Sequence, residues 1–157
     1  MDLFAKLSEV YKGYETKVEA INDIDYFAIV NPFWDGNIRV SNEDLDGIIF
    51  FFSFQHAHFD YGDDMNENIN CLIEYINDFL GGKQVAVEFF QEGIAIGGGS
   101  RYLGDLDMSS GESLLRSFAG DNVVFYESVY NDAKGLACCC SIRGWNNADN
   151  KDVDFIL

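Results

Sequence analysis

The most apolar run of the chain spans Asp46–Asp60 and has the sequence DGIIFFFSFQHAHFD. Its first part, Ile48–Phe52, is a continuous block of β-branched and aromatic residues, a pattern typical of a strand covered on both faces. After Phe52, polar and apolar residues alternate, as they do along a strand with one solvated face. The run therefore predicts a central buried strand that becomes polar toward its C-terminal end.

Both histidines of the chain lie in the polar end of this run. On one continuous strand, His56 and His58 would share a face with each other and with the even-numbered residues before them. Those residues are Phe50, Phe52 and Phe54. We therefore expect the two imidazoles to lie close together on one face of the sheet.

His56, His58 and Asp60 form a candidate metal site, because imidazole and carboxylate groups two residues apart on one strand face can bind one divalent ion. The five residues resemble the His-x-His-x-Asp motif of metallo-β-lactamase-type hydrolases, which implies a metal-dependent enzyme. Tyr61 stands where that motif has a further histidine, and the chain has no other histidines. We favour the alternative, in which these side chains form hydrogen bonds at a strand end or face a partner.

The chain as a whole predicts a single α+β domain over residues 1–157, with a mainly antiparallel sheet and two or three helices mostly on one of its faces. Segments rich in β-forming residues and separated by turn signals predict the strands. They are Asp25–Val30, Ile38–Val40, Gln84–Phe90, Ile94–Ile96, Val123–Val129 and Leu136–Ile142, and the acidic tail around Val153–Leu157 could add an edge strand. The glycine run at 97–99 lacks the spacing of a phosphate-binding loop and favours a bend or bulge.

Apolar residues at helical spacing, together with capping residues, predict the helices. The first begins at Asp2 and ends either at Gly13 or, with Val18 and Ile21 continuing the period, near Ala20. A second follows the Asp64-x-x-Glu67 pattern and ends at Gly81-Gly82, and a third follows Ser109-x-x-Glu112 and ends at Gly120.

The net charge of −17, from 27 acidic and 10 basic residues, indicates what kind of partner the protein can bind. A negative field repels phosphate backbones and anionic lipids, so we expect no nucleic-acid or membrane binding and instead a basic protein or a cation. The alternative explanation is that the acidity keeps an aromatic-rich protein soluble.

The acidic residues cluster in segments that we expect at strand and helix ends, where folding can gather them around aromatic side chains. Acidic loops steer association with a basic protein, and aromatic side chains anchor it. The predicted contacts are Asp60, Tyr61, Asp63, Asp64, Glu67 and Trp34.

The chain carries no Gly-x-Ser-x-Gly elbow, and its four cysteines lack zinc-site spacing, so we expect a non-enzymatic protein without a cofactor and with reduced, packed thiols. The first residues lack the features of a signal peptide, which predicts a cytoplasmic protein.

A small, acidic α+β protein without catalytic motifs resembles the immunity proteins that bacteria make against interbacterial toxins. That resemblance implies a one-to-one complex with a basic toxin, for example a nuclease, whose working site is occluded. A ligand-binding or adaptor domain with an aromatic-lined cavity beside the sheet is a third hypothesis.

Overall fold

The computed structural model describes residues 2–43, 47–60 and 64–157. They form two compact units, Met1–Asp78 and Phe79–Leu157, and we describe each by itself. The predicted α+β class and the antiparallel pairing are confirmed, with the strands distributed over a five-stranded and a four-stranded sheet. Among the described residues, no helix combines the length and the apolar character needed to cross a membrane.

The first unit is an antiparallel meander whose strands are neighbours in the order of the sequence, β1-β2-β3-β4-β5. A helix precedes the meander and another follows it. The elements are α1 (Leu3–Val10), β1 (Thr16–Ile21), β2 (Ile24–Ile29), β3 (Ile38–Glu43), β4 (Gly47–Phe52), β5 (Gln55–Phe59) and α2 (Met65–Leu80), the last two residues of α2 falling in the second unit. Of the two alternatives for the first helix, the shorter one is confirmed, because Val18 and Ile21 belong to β1.

The central apolar run is not one strand, and that prediction is wrong. The chain reverses at Ser53-Phe54, so that β4 and β5 form a hairpin in which Phe52 pairs with Gln55. Ser53 adopts a positive φ of 56°, the left-handed conformation that tight hairpins require. No glycine or asparagine marks this turn, which explains why the sequence pattern conceals it.

The hairpin changes which residues share a face with the histidines. His56 pairs with Phe51 and His58 with Ile49, so the imidazoles lie on the face opposite Phe50 and Phe52. The face of Phe50 and Phe52 is the one that the helices cover, since the ring centroids of Phe50 and of Tyr75 in α2 are 5.0 Å apart. The histidines therefore lie on the face of the sheet that α2 leaves uncovered.

Helices α1 and α2 close the core of the first unit. The rings of Phe4 and Phe27 lie 6.1 Å apart, which places α1 on the sheet. The buried Tyr11 hydroxyl donates to the Ile73 carbonyl oxygen or to Asn77 Oδ1, at 3.3 Å from each, and thereby links the two helices. Burial raises the pKa of Tyr11, so the donor proton is retained at all ordinary pH values.

The second unit inserts two helices between its strand pairs, and its strand order is β7-β6-β8-β9. Both helices pack on one face, where Val87, Phe89, Phe118 and Ile142 belong to the buried core. The elements are β6 (Gln84–Gln91), β7 (Ile94–Tyr102), α3 (Gly111–Ala119), α4 (Val123–Ala133), β8 (Ala137–Arg143) and β9 (Lys151–Ile156), with short 3₁₀ turns at Leu103–Asp105 and Asn147–Asp149. The tail thus adds the edge strand that its alternating pattern predicts.

The segment Val123–Val129, predicted as a strand, is the helix α4. Asn122 caps it, since its side-chain oxygen accepts a hydrogen bond of 3.0 Å from the backbone nitrogen of Phe125. The β-branched residues that suggested a strand stand at the exposed start of the helix, with Val124 79% exposed. The cap and the packing of Phe125 and Val129 outweigh a weak β preference.

The glycine run lies within β7 and lets α4 approach the sheet. A Cβ atom at Gly97 would lie 2.9 Å from Phe125 and 3.0 Å from Val129, closer than normal contacts. The expected irregularity is confirmed as a shift of register between Phe89 and Phe90 on the neighbouring strand. Gly97 therefore makes room for the packing of α4.

The predicted caps Asp2 of α1 and Asp64 of α2 are confirmed, and the cap of α3 shifts by one residue. Asp64 Oδ1 accepts a 2.9 Å hydrogen bond from the backbone nitrogen of Asn66 at the start of α2. The cap of α3 is Ser110, which accepts from Ser113, and not Ser109. Gly120 ends α3 with a φ of 56°, as expected of a helix terminator.

Candidate partner-binding surface

Helix α2 carries its carboxylates along a single line. Glu67 and Glu74 of α2 and Asp64, the capping residue directly before it, are all exposed. At 100° per residue the two glutamates are about 20° apart around the helix and about 10 Å apart along it, and Asp64 adds a carboxylate at its N-terminal end. The buried residues Ile69, Leu72 and Ile76 occupy the opposite side of the helix. We call Asp64, Glu67 and Glu74 the α2 acidic surface.

Within the described ranges, no basic side chain forms an ion pair with the α2 acidic surface. Helix α2 contains no lysine or arginine. None of the ion pairs among the described residues involves one of its three carboxylates. Its residues Cys71 and Asp78 continue the line of polar groups as half-buried side chains. The three exposed carboxylates of this surface thus form no ion pair with the described part of the chain.

Most of the few cations of the first unit are engaged elsewhere. The unit has 16 acidic and four basic residues, a net charge of −12. Lys17 and Arg39 both bind Glu19 on the sheet, and their hydrogen bonds, that of Lys17 first, lower the pKa of Glu19. Lys12 pairs with Glu9 at 3.1 Å. The negative field around α2 is therefore weakly opposed from within the unit.

The predicted contact residues are only partly brought together. Asp60 is exposed directly after β5, Asp64 caps α2 and Glu67 lies in its first turn, whereas Tyr61 and Asp63 lie outside the described residues. Glu74 belongs to the same line but was missed, although helical spacing applied to the acidic residues of this segment would have found it.

Trp34 lies away from this acidic group. Its ring packs 5.8 Å from the Phe52 ring, at the end of β4. Asp60 is beside Gly47 at the other end of that strand, where a built Cβ of Gly47 would lie 3.4 Å from Asp60 Cβ. The five-residue separation along β4 corresponds to about 17 Å. The half-buried Trp34 and Asp60 thus mark two distinct ends of the sheet.

His56 and His58 lie side by side on the uncovered face of β5. Both are exposed, and their ring centroids are 5.3 Å apart. Within residues 2–43, 47–60 and 64–157, no group of three or more His, Cys, Asp or Glu side chains could hold a metal ion. The imidazole pair is formed as predicted, and Asp60 does not complete a three-ligand group with it.

The cysteines on β8 have the properties of packed thiols. Cys138 and Cys140 are buried, Cys139 is half-buried on the other face, and all are free. Burial raises the pKa of all three thiols, that of Cys140 to about 12. A catalytic cysteine is usually activated by the opposite shift, toward thiolate at neutral pH, and the surroundings of these thiols do not supply that activation.

Comparisons with protein-family models, with curated proteins and with solved structures gave no match for this chain.

Proposed function

We propose that the protein is a non-enzymatic binding protein that recognises a basic protein partner, and that the α2 acidic surface forms the centre of the contact. The observation that carries the proposal is the line of three exposed carboxylates, Asp64, Glu67 and Glu74, on a helix without a basic residue. We include in the contact Asp60, which is exposed directly after β5 and four residues before Asp64 in the sequence.

The spacing of the carboxylates supports an extended cationic partner over a single bound ion. Glu67 and Glu74 are two turns apart on α2, which corresponds to about 10 Å along the helix. A divalent cation requires oxygen ligands that converge to within about 2–3 Å of it. Several lysine or arginine side chains on a protein surface can instead meet carboxylates spaced along a helix.

The net charge of −17 supports a contact that forms quickly and depends on salt. A strongly negative surface raises the association rate with a basic protein, and added salt screens that attraction within a Debye length of about 10 Å at 0.1 M. The same charge repels nucleic acids and anionic lipids, which supports a protein as the partner.

We propose further that the partner is a toxin and that this protein is its immunity protein. A nuclease toxin needs a cationic working site, because it must hold phosphate groups. A line of carboxylates can occupy such a site in place of the phosphates, and the occluded enzyme is then inactive. Support comes from the acidity, the size and the arrangement of carboxylates on α2.

The experiment is a comparison of two triple variants with the same change in charge. Asp64→Asn, Glu67→Gln, Glu74→Gln removes the α2 acidic surface and keeps a side chain at residue 64 that can cap the helix. Asp105→Asn, Asp121→Asn, Asp132→Asn neutralises three exposed carboxylates of the second unit. Each protein is immobilised and exposed to lysate of the native host at about 50 mM and 500 mM NaCl.

We expect the wild type and the second-unit variant to retain the same basic protein at low salt. The α2 variant should retain at least tenfold less of that protein. Equal capture by both variants would refute the α2 assignment. Capture that is insensitive to salt would contradict electrostatic recognition altogether. Co-expression with the captured protein then tests protection: a toxin partner should arrest growth alone and be tolerated with the wild-type protein.

A further inference from the structure

The second unit contains a surface depression of about 720 Å³. It lies where the β6–β7 turn, the beginning of β8 and the end of β9 meet. Phe90, Phe155 and Ile156 contribute apolar surface, and Glu92 and Asp154 contribute carboxylates. Its volume is within the range of about 300–1,000 Å³ that is typical of small-molecule sites.

Strand pairing explains how these side chains come together. Gln91 pairs with Ile94 across the tight turn at Glu92-Gly93, and Gln91 also pairs with Cys138 at the start of β8. On the other side of β8, Cys139 pairs with Asp154 of β9. The turn carboxylate and the edge-strand carboxylate thus lie on either side of one strand.

The lining of the depression combines an apolar surface with negative charge only. Its lining residues include no lysine, arginine or histidine. Arg143, at the other end of β8, is bound to Asp152 at 2.7 Å and is not part of the lining. Ile156 is 72% exposed, so apolar surface is available to a ligand without any rearrangement of the core.

We propose that this depression binds an amphipathic organic amine, with its ammonium group between Glu92 and Asp154 and its apolar body against Phe90 and Ile156. The carboxylates would accept charge-assisted hydrogen bonds from the ammonium group. The Phe90 ring adds apolar surface, and its face attracts a cation. An anionic ligand of the same shape would meet two negative charges and no positive one.

The probe is a pair of small molecules that share an aromatic body and differ in charge. Wild-type protein is titrated with 2-phenylethylamine and, separately, with 3-phenylpropanoate, and binding is followed by chemical shifts of backbone amides near Glu92 and Ala137. We expect saturable shifts with the amine and an affinity at least tenfold lower for the carboxylate. Equal shifts with both compounds would show apolar contact without charge recognition and would overturn the proposal, as would no shifts with either.

Variants separate this site from the partner surface. Glu92→Gln, Asp154→Asn should weaken amine binding at least tenfold, and Ile156→Ser should weaken it severalfold, with unchanged thermal stability because all three side chains are exposed. The triple variant of the α2 acidic surface, and Asp105→Asn as a charge control, should bind the amine like the wild type. Unchanged affinity in the Glu92→Gln, Asp154→Asn variant would overturn the site assignment, whatever the outcome for the protein partner.

Discussion

Each of the two units consists of an antiparallel sheet with helices packed on it, but the units differ in their balance of charge. The first has 16 acidic and four basic residues, a net charge of −12, whereas the second has 11 acidic and six basic residues, a net charge of −5. In the first, the acidic surplus includes the α2 acidic surface, whose three carboxylates form no ion pair with the residues that the structure describes. In the second, Arg116 and Arg143 pair with Glu112 and Asp152. This contrast is why we propose the surface for a basic protein on the first unit and the small-molecule site on the second.

The units also differ in connectivity. The first is a meander whose strands pair with their neighbours in sequence, while the second places α3 and α4 between β7 and β8. A meander relies on local contacts, and an inserted helical pair requires contacts between residues distant in sequence. The expectation of one domain over residues 1–157 stays a prediction, and stability measurements can test it.

The largest expected effect comes from removing one core ring in each unit. Phe50 in the first unit and Phe89 in the second are both fully buried, and replacing either by alanine should cost about 3–5 kcal/mol of unfolding free energy. If the chain is one cooperative domain, calorimetry of both variants should show a single transition shifted by a similar amount. Two transitions, of which each variant shifts only one, would establish independent units.

A smaller effect should come from the close approach of α4 to β7. Gly97→Ala would introduce a methyl group 2.9 Å from Phe125, and the required adjustment should cost about 1–3 kcal/mol. Gly104→Ala is the matched control, because nothing lies within 4 Å of a Cβ atom there. Chemical denaturation of the two variants measures the difference. Equal stabilities would show that α4 does not depend on the absence of a side chain at residue 97.

Elements of the fold that are determined locally could be predicted from the sequence, whereas those that depend on distant contacts could not. The strand β6 and the limits of α2 were predictable, because the run of β-forming residues in Gln84–Phe90 and the stop at Gly81-Gly82 act locally. The hairpin at Ser53-Phe54 was not, since a positive φ at serine leaves no compositional mark. Helix α4 was missed because its packing against the glycines of β7 outweighs local preference.

The candidate surface was predictable to a similar extent. Asp64 and Glu67 were identified because they stand at a helix start. Glu74 was missed because the helical spacing was not applied to the acidic residues that follow in α2. Trp34 could not be separated from Asp60 without strand register, which places them at different ends of β4.

In the second unit, stability should fall with rising pH because of one buried thiol. The pKa of Cys140 is raised by burial to about 12 from an ordinary value of 9.0. Between these values the unfolded chain loses a proton that the folded chain keeps, so unfolding becomes more favourable by up to about 1.4 kcal/mol per pH unit. Between pH 9 and 11, the unfolding free energy from denaturation curves should therefore decrease less steeply with pH for Cys140→Ala than for the wild type. Identical pH slopes would show that this thiol does not contribute.

In the first unit, the cap of α2 should contribute about 1 kcal/mol. Asp64→Ala removes the oxygen that accepts from the Asn66 backbone nitrogen at 2.9 Å, and losses of about 0.5–2 kcal/mol are usual for such caps. Asp64→Asn keeps an acceptor and should remain within a few tenths of the wild type, although both substitutions remove one negative charge. Denaturant midpoints distinguish them. A similar loss in both variants would assign the effect to charge and not to capping.

The smallest expected effect concerns the exposed imidazole pair on β5. Two ring centroids 5.3 Å apart, without a third ligand among the described side chains, should hold Zn²⁺ weakly, since protein zinc sites normally use three or four ligands. We therefore expect untagged protein to lose bound zinc on dialysis against EDTA, and micromolar to millimolar zinc to shift the imidazole proton resonances. His56→Ala should abolish those shifts at His58, because one imidazole cannot chelate. Stoichiometric metal that survives EDTA in the wild type and is lost in His56→Ala, His58→Ala would instead favour the metal-dependent alternative, and it would make the uncovered sheet face the functional centre of the acidic unit.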